Sequence, residues 1–218
     1  MVKLNNVRKF AHKIRFCANN PRQQTTMLKT REKLIDIARQ LFAHKGIENT
    51  TMNDIALAAE KGRRTIYTYF KNKRDIYNAV IESESEIVLD KLKEIANLPI
   101  PPDQKLMEFI FQRFDAMKDL VSRNGSLRAG FFRDARKVER ARKISRPKEI
   151  HILEKILQEG VDTGMFKIKH VEKTAMVMLL SLQGLDVPYI RDNFAEFGIE
   201  KNKLREYLYD FILYGIKQ

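Results

Sequence analysis

The chain contains no tryptophan, one cysteine, nine glycines and six prolines in 218 residues. A lone Cys17 excludes an intrachain disulfide framework and fits a reducing compartment. So few backbone breakers, with abundant Lys, Glu, Leu, Ile and Ala, favour helices. The four histidines, His12, His44, His151 and His170, are scattered, and none is spaced with the cysteine as a metal ligand would be. A nucleophile–base motif and a glycine-rich phosphate loop are also missing. No catalytic residue, metal or cofactor is therefore expected. The longest strongly apolar run, AMVMLL at 175–180, is too short to span a bilayer, and the basic start lacks the apolar stretch of a signal peptide. These features predict a cytoplasmic protein with no membrane partner.

What the sequence does have is positive charge, +13 overall, in three places. Residues 1–26 hold six basic and no acidic side chains; 29–74 hold 11 basic and five acidic; 133–148 hold eight basic and two acidic. Outside these three stretches the chain is net acidic, and the basic front end predicts that this end meets a polyanion.

The apolar pattern is helical throughout, and no strand pattern competes. Residues 1–28, interrupted by Pro21, read as a largely flexible basic arm. Leu34, Ala38 and Leu41 mark a helix that Gly46 can cap in a left-handed conformation. Thr51 and Asp54 have capping-box spacing at the start of a short helix carrying Ile55, Ala56 and Ala59. After a turn at Gly62, the i, i+4 pair Ile66 and Phe70 anchors a second short helix. Two short helices joined by a tight turn describe a helix-turn-helix. Longer helices are predicted over about 74–98, 103–123, 127–144, 148–163, 170–186 and 201–215, with PIPP at 99–102 ending the first. The fold class is all-α. It has an arm (1–28), a three-helix helix-turn-helix domain (29–75) and a larger helical body (76–218).

Within GRRTIYTYFKNK, residues 62–73, basic side chains cluster where a recognition helix would enter a major groove. Arg63 and Arg64 can each donate paired hydrogen bonds to guanine, and Thr65 can touch a thymine methyl or a phosphate. Tyr67, Tyr69 and Lys73 suit phosphate oxygens, and Thr68 lies among them. The plain alternative is a solvated basic helix. The stretch at 133–148 reads as such a solvated face rather than a second DNA site.

Residues 30–77, with LFAHKG, TTMNDIA and TIYTYFKNKRDI in order, resemble the DNA-binding domain of the TetR (tetracycline repressor-like) family. Many members carry a sequence like AGVSKGTLY where this chain has AEKGRRTIY at 59–67, so Glu60 stands at the usual glycine. The resemblance implies DNA contacts at Thr51 and Asn53 as well as at Thr65, Tyr67, Tyr69 and Lys73. It also implies a repressor that binds double-stranded operator DNA and is released by a small-molecule effector held in a cavity of the body. Candidates to line that cavity are Phe109, Phe114, Met117, Phe131, Phe132, Met165, Met176 and Leu180, with Arg113, His151 and Gln183 as polar groups. Ordinary core packing is the alternative for each.

The helix at 175–182 is apolar almost all round and needs cover on two sides. The family's usual answer is a homodimer through the last two helices. Its expected contacts are Val171, Ala175, Met178, Leu182 and Leu185, with Leu204, Leu208, Phe211 and Ile212. A helix fully buried in a monomer is the other solution. Two further classes stay open: a non-specific basic nucleic-acid-binding or architectural protein, and an enzyme using the helical cavity.

Overall fold

The computed structural model describes residues 21–123, 135–200 and 203–216. In chain order the helices are α1 (Pro21–Lys45), α2 (Met52–Ala58), α3 (Arg63–Tyr69), α4 (Lys73–Ala96), α5 (Pro102–Arg123), α6 (Ala135–Asp162), α7 (Val171–Arg191) and α8 (Leu204–Ile216). A 3-10 turn at Phe194–Phe197 lies between the last two, and the described residues include no β-strand. The all-α expectation holds.

The chain forms two compact units divided between Val80 and Ile81. In the first, α1 contributes Leu34, Ile35, Ala38 and Phe42 to a core completed by Ile55 and Ala56 of α2, Ile66 of α3 and Phe70. Ile76, Ala79 and Val80 of α4 join the same core. That packing puts the division past residue 75, where the sequence suggested it. Gly46 ends α1 at φ +83, its N–H donating to Phe42 O at 3.1 Å. The reading of 1–28 as one arm needs correction, because α1 already begins at Pro21. Proline has no N–H to lose in a first helical turn, so there it starts a helix rather than interrupting one. Residues 1–20 lie outside the described residues.

The second unit packs Leu89 and Leu92 of α4, Leu106, Phe109 and Ile110 of α5, and Leu153 and Ile156 of α6 around Ala175 and Leu179 of α7. Leu204, Leu208 and Ile212 of α8 close this core. The separate helices expected at 127–144 and 148–163 are a single helix through Pro147. Proline removes one helical hydrogen bond and ordinarily breaks or kinks a helix. Here side chains on both sides of it are tied to neighbours: Arg142 to Asp186 of α7, and Glu149 to Arg113 of α5. Near the end of α6, Gly160 lies against Phe166, where a Cβ would come 2.0 Å from the ring. Only glycine lets that ring fold back over the helix.

Candidate nucleic-acid interface

The helix-turn-helix is fixed by local chemistry at each end. Thr51 caps α2 in a full capping box: Asp54 N–H donates to Thr51 Oγ1 at 3.1 Å, and Thr51 N–H donates to Asp54 Oδ2 at 2.9 Å. The hydrogen bonds from Thr51 hold the Asp54 carboxyl below its usual value. At the other end Lys61 N–H reaches Ala56 O and Glu60 N–H reaches Leu57 O, both at 2.9 Å. That is the Schellman pattern, which asks for a left-handed residue after the C-cap. Glu60 supplies it at φ +57, a conformation that strains any residue with a Cβ. The turn thus keeps its geometry although the residue is not glycine. Gly62 then takes an extended conformation as the N-cap of α3, with no side chain to contribute.

α3 is held by two apolar anchors, Ile66 and Phe70, both buried in the N-terminal core. Their spacing turns Arg63, Arg64, Tyr67 and Thr68 outward, all exposed, with Thr65 half-buried beside them. Arg63 lies over the Tyr67 ring at 5.8 Å, and Thr68 Oγ1 donates to Arg64 O at 3.1 Å. Asn53 and Thr51 are exposed on and before α2. The two remaining candidates differ from expectation. Tyr69 packs partly against the N-terminal core. Lys73 Nζ donates to Ile47 O at 2.7 Å and to Glu48 O at 3.2 Å. That lysine therefore ties the start of α4 to the turn between α1 and α2, with two of its ammonium's three donors engaged within the domain.

The expected cavity residues separate into groups. Phe109 and Phe114 are core, Met117 and Met165 are half-buried, and Phe131 and Phe132 lie outside the described residues. Met176 and Leu180 are exposed, and His151 is exposed beside Glu154. These three are thus corrected: Met176 and Leu180 on α7, and His151 on α6, lie on exposed sides of their helices. Arg113 and Gln183 do come together, in a buried charged centre that sequence reasoning assembled only in part. Arg113 Nη1 and Nη2 donate to the two oxygens of Asp186 at 2.7 and 3.0 Å, and its Nε donates to Glu149 at 3.0 Å. Burial pushes the guanidinium down, but Asp186 and Glu149 overcome that and hold it above the usual arginine range. Arg142 and Arg146 were expected on a solvated face, yet they reach Asp186 at 2.7 Å and Gln183 Oε1 at 3.1 Å. The missed signal was Asp186, three residues after Gln183 on a helix otherwise nearly all apolar.

Most of the expected dimer contacts are engaged within the chain itself. Ala175, Leu182, Leu204, Leu208 and Ile212 are buried in the chain's own core, while Val171, Met178 and Leu185 pack half-buried against it. Phe211 alone of that set is largely exposed, at 79%. The uncovered apolar side is formed instead by Met176, Val177 and Leu180 of α7 with Tyr207, Phe211 and Tyr214 of α8. A groove of about 800 Å³ runs along the two helices, floored by Leu182, Leu185 and Ile212 and edged by Lys167, Lys169 and Lys173.

Fold and exposed face together define an all-α helix-turn-helix protein. Residues 34–80 match the family of bacterial regulatory proteins, tetR family. The HTH-type transcriptional regulator AcrR of Shigella flexneri is 37% identical over 82 residues, 37% of this chain and 38% of that protein. The probable acrEF/envCD operon repressor of Escherichia coli K12 is 39% identical over 90 residues, 40% of each chain. These matches span about two-fifths of the relatives' length. A transcriptional regulator from Cytophaga hutchinsonii, 24% identical, shares the fold with a TM-score of 0.66 over 86% of this chain and 98% of its own. The N-terminal segment is thus similar to the tetR family of bacterial regulatory proteins, and the whole chain shares its fold with a solved transcriptional regulator.

Proposed function

We propose that the protein is a sequence-specific, homodimeric transcriptional repressor that leaves a pseudo-palindromic operator when a small-molecule effector binds its body. The observation that carries this reading is the outward face of α3. Two arginines, a threonine and a tyrosine are presented together by a helix whose opposite side, Ile66 and Phe70, is locked into the core. A rigid basic helix of this kind suits the major groove, where arginine pairs with guanine O6 and N7. The printed name of the Escherichia coli relative supports repression as the sign of regulation. The uncovered apolar side of α7 and α8 supports a two-fold dimer, with paired helix-turn-helix units reading half-sites roughly 34–36 Å apart or a multiple of that. No helix among the described residues is long and apolar enough to cross a membrane, which agrees with work on DNA in the cytoplasm. The effector acts by binding better to the form that cannot hold DNA; a differential of about 1–3 kcal/mol changes affinity five- to 150-fold.

Fluorescence anisotropy with the DNA upstream of the protein's own gene, against random duplex, tests the reading. Specific binding is expected, and Arg63→Ala and Arg64→Ala should each lose about 1–3 kcal/mol of base discrimination. Equal affinity for random DNA would favour a non-specific basic binder instead. Unchanged sequence preference in both variants would remove the two arginines from the base-reading role.

A further inference from the structure

The charged centre of the C-terminal unit has a composition that packing alone does not explain. Arg113 of α5, Arg142 and Arg146 of α6, and Glu149, Gln183 and Asp186 meet where α5, α6 and α7 pack. Arg113, Gln183, Glu149 and Asp186 are all buried. Removing such groups from water is costly, and a well-packed apolar cluster would hold three helices together at least as well.

Its donors and acceptors are unequal in kind. A guanidinium has only donors, so the Gln183 oxygen must face Arg146, as it does at 3.1 Å. The amide nitrogen is thereby forced to point the other way. Gln183 Nε2 is buried and donates to nothing among the described residues. The carboxylates of Asp186 and Glu149 are already engaged by Arg113, and Asp186 by Arg142 as well. Among the described residues, this centre lacks an acceptor for the Gln183 amide nitrogen. An anionic acceptor is favoured over a neutral one because two guanidinium groups stand beside this residue, Arg146 at its side-chain oxygen and Arg142 at its backbone carbonyl, 3.4 Å away. An apolar wall stands close by: Phe114 lies 5.8 Å from the Arg113 guanidinium and stacks on Tyr189 at 4.9 Å.

We propose that the effector carries a carboxylate on an apolar body, and that the carboxylate is received by the Gln183 amide in the field of Arg142 and Arg146. This rests on the ligand-responsive reading above and narrows it to organic acids.

The test uses the full chain with decanoate, benzoate, decanol and decyltrimethylammonium, all below micelle-forming concentration and at matched ionic strength. Thermal unfolding and operator anisotropy are read in parallel. At least one carboxylate should raise the melting temperature and weaken operator binding tenfold or more, while the alcohol and the cation do neither. Gln183→Met keeps the side-chain volume and removes the amide. It should stay folded by circular dichroism, bind operator as the parent does, and lose the carboxylate response. Should Gln183→Met fail to fold, Gln183→Glu is read instead: its added negative charge should abolish the carboxylate response. Equal responses to all head groups would overturn the proposal. So would silence toward both carboxylates in a protein that binds operator, or an undiminished response in the folded variant. A chain that binds no DNA selectively but still responds to a carboxylate would sink the regulator reading and leave this site standing.

Discussion

Glu60 is the residue at which the sequence departs from the pattern of the family it resembles, and it takes a left-handed conformation there. It holds φ +57 in the turn before α3, and its side chain reaches only an exposed partner, Lys33, at 3.7 Å. A left-handed residue with a Cβ costs roughly 1–2 kcal/mol, glycine regains about half of that after its larger loss of chain entropy, and an exposed ion pair contributes little. Glu60→Gly should therefore raise the unfolding free energy of the N-terminal unit by about 0.5–1 kcal/mol in urea titration. A lower midpoint would show that the turn does not carry this strain. At the same scale, Ile66 and Phe70 were legible as anchors because i, i+4 spacing is a local property. Lys73 was not, because the carbonyls it bonds belong to Ile47 and Glu48, more than 20 residues earlier in the chain.

Among the helices, α2 depends most on its ends, since seven residues are too few to be stable by propensity alone. Loss of the Thr51 side chain removes one half of the capping box. Thr51→Ala should cost about 1 kcal/mol and weaken operator binding through the displaced turn. The pH dependence has a definite sign. Asp54 ionises below its ordinary value of 3.8 in the folded state, so its share of the box is present above that pH and is lost as the pH falls through the lowered value. The stability gap between parent and variant should consequently narrow in acid; a gap independent of pH would separate Asp54 from the cap. The box could be read directly from T-x-x-D spacing. The continuity of α6 could not, because Pro147 reads locally as a stop and only ties to α5 and α7 carry the helix through it.

For the whole molecule, the open question of cover on α7 and α8 has a concrete answer to test. Phe211 is the most exposed large apolar side chain among the expected dimer contacts, and it edges a groove of about 800 Å³. Phe211→Asp would bury a charge in any isologous contact made there. Light scattering should show the parent as a dimer and the variant as a folded monomer with weakened operator binding. A variant that remains dimeric would move the interface elsewhere.

Helix content, the helix-turn-helix and the side of α3 turned outward were determined by the amino-acid sequence alone, because caps, breakers and 3.6-residue periodicity act within a few residues of each other. On α7 the same periodicity was silent: a helix apolar nearly all round does not say which stripe meets its own body. Tertiary packing chose Ala175, Leu179 and Leu182 for the core and left Met176, Val177 and Leu180 outside. It also gathered Arg113, Arg142, Arg146, Gln183 and Asp186 from three helices, turning two arginines of an apparently solvated run inward. Partners so far apart in the chain leave no trace in local spacing, since only the folded core brings their charges within reach.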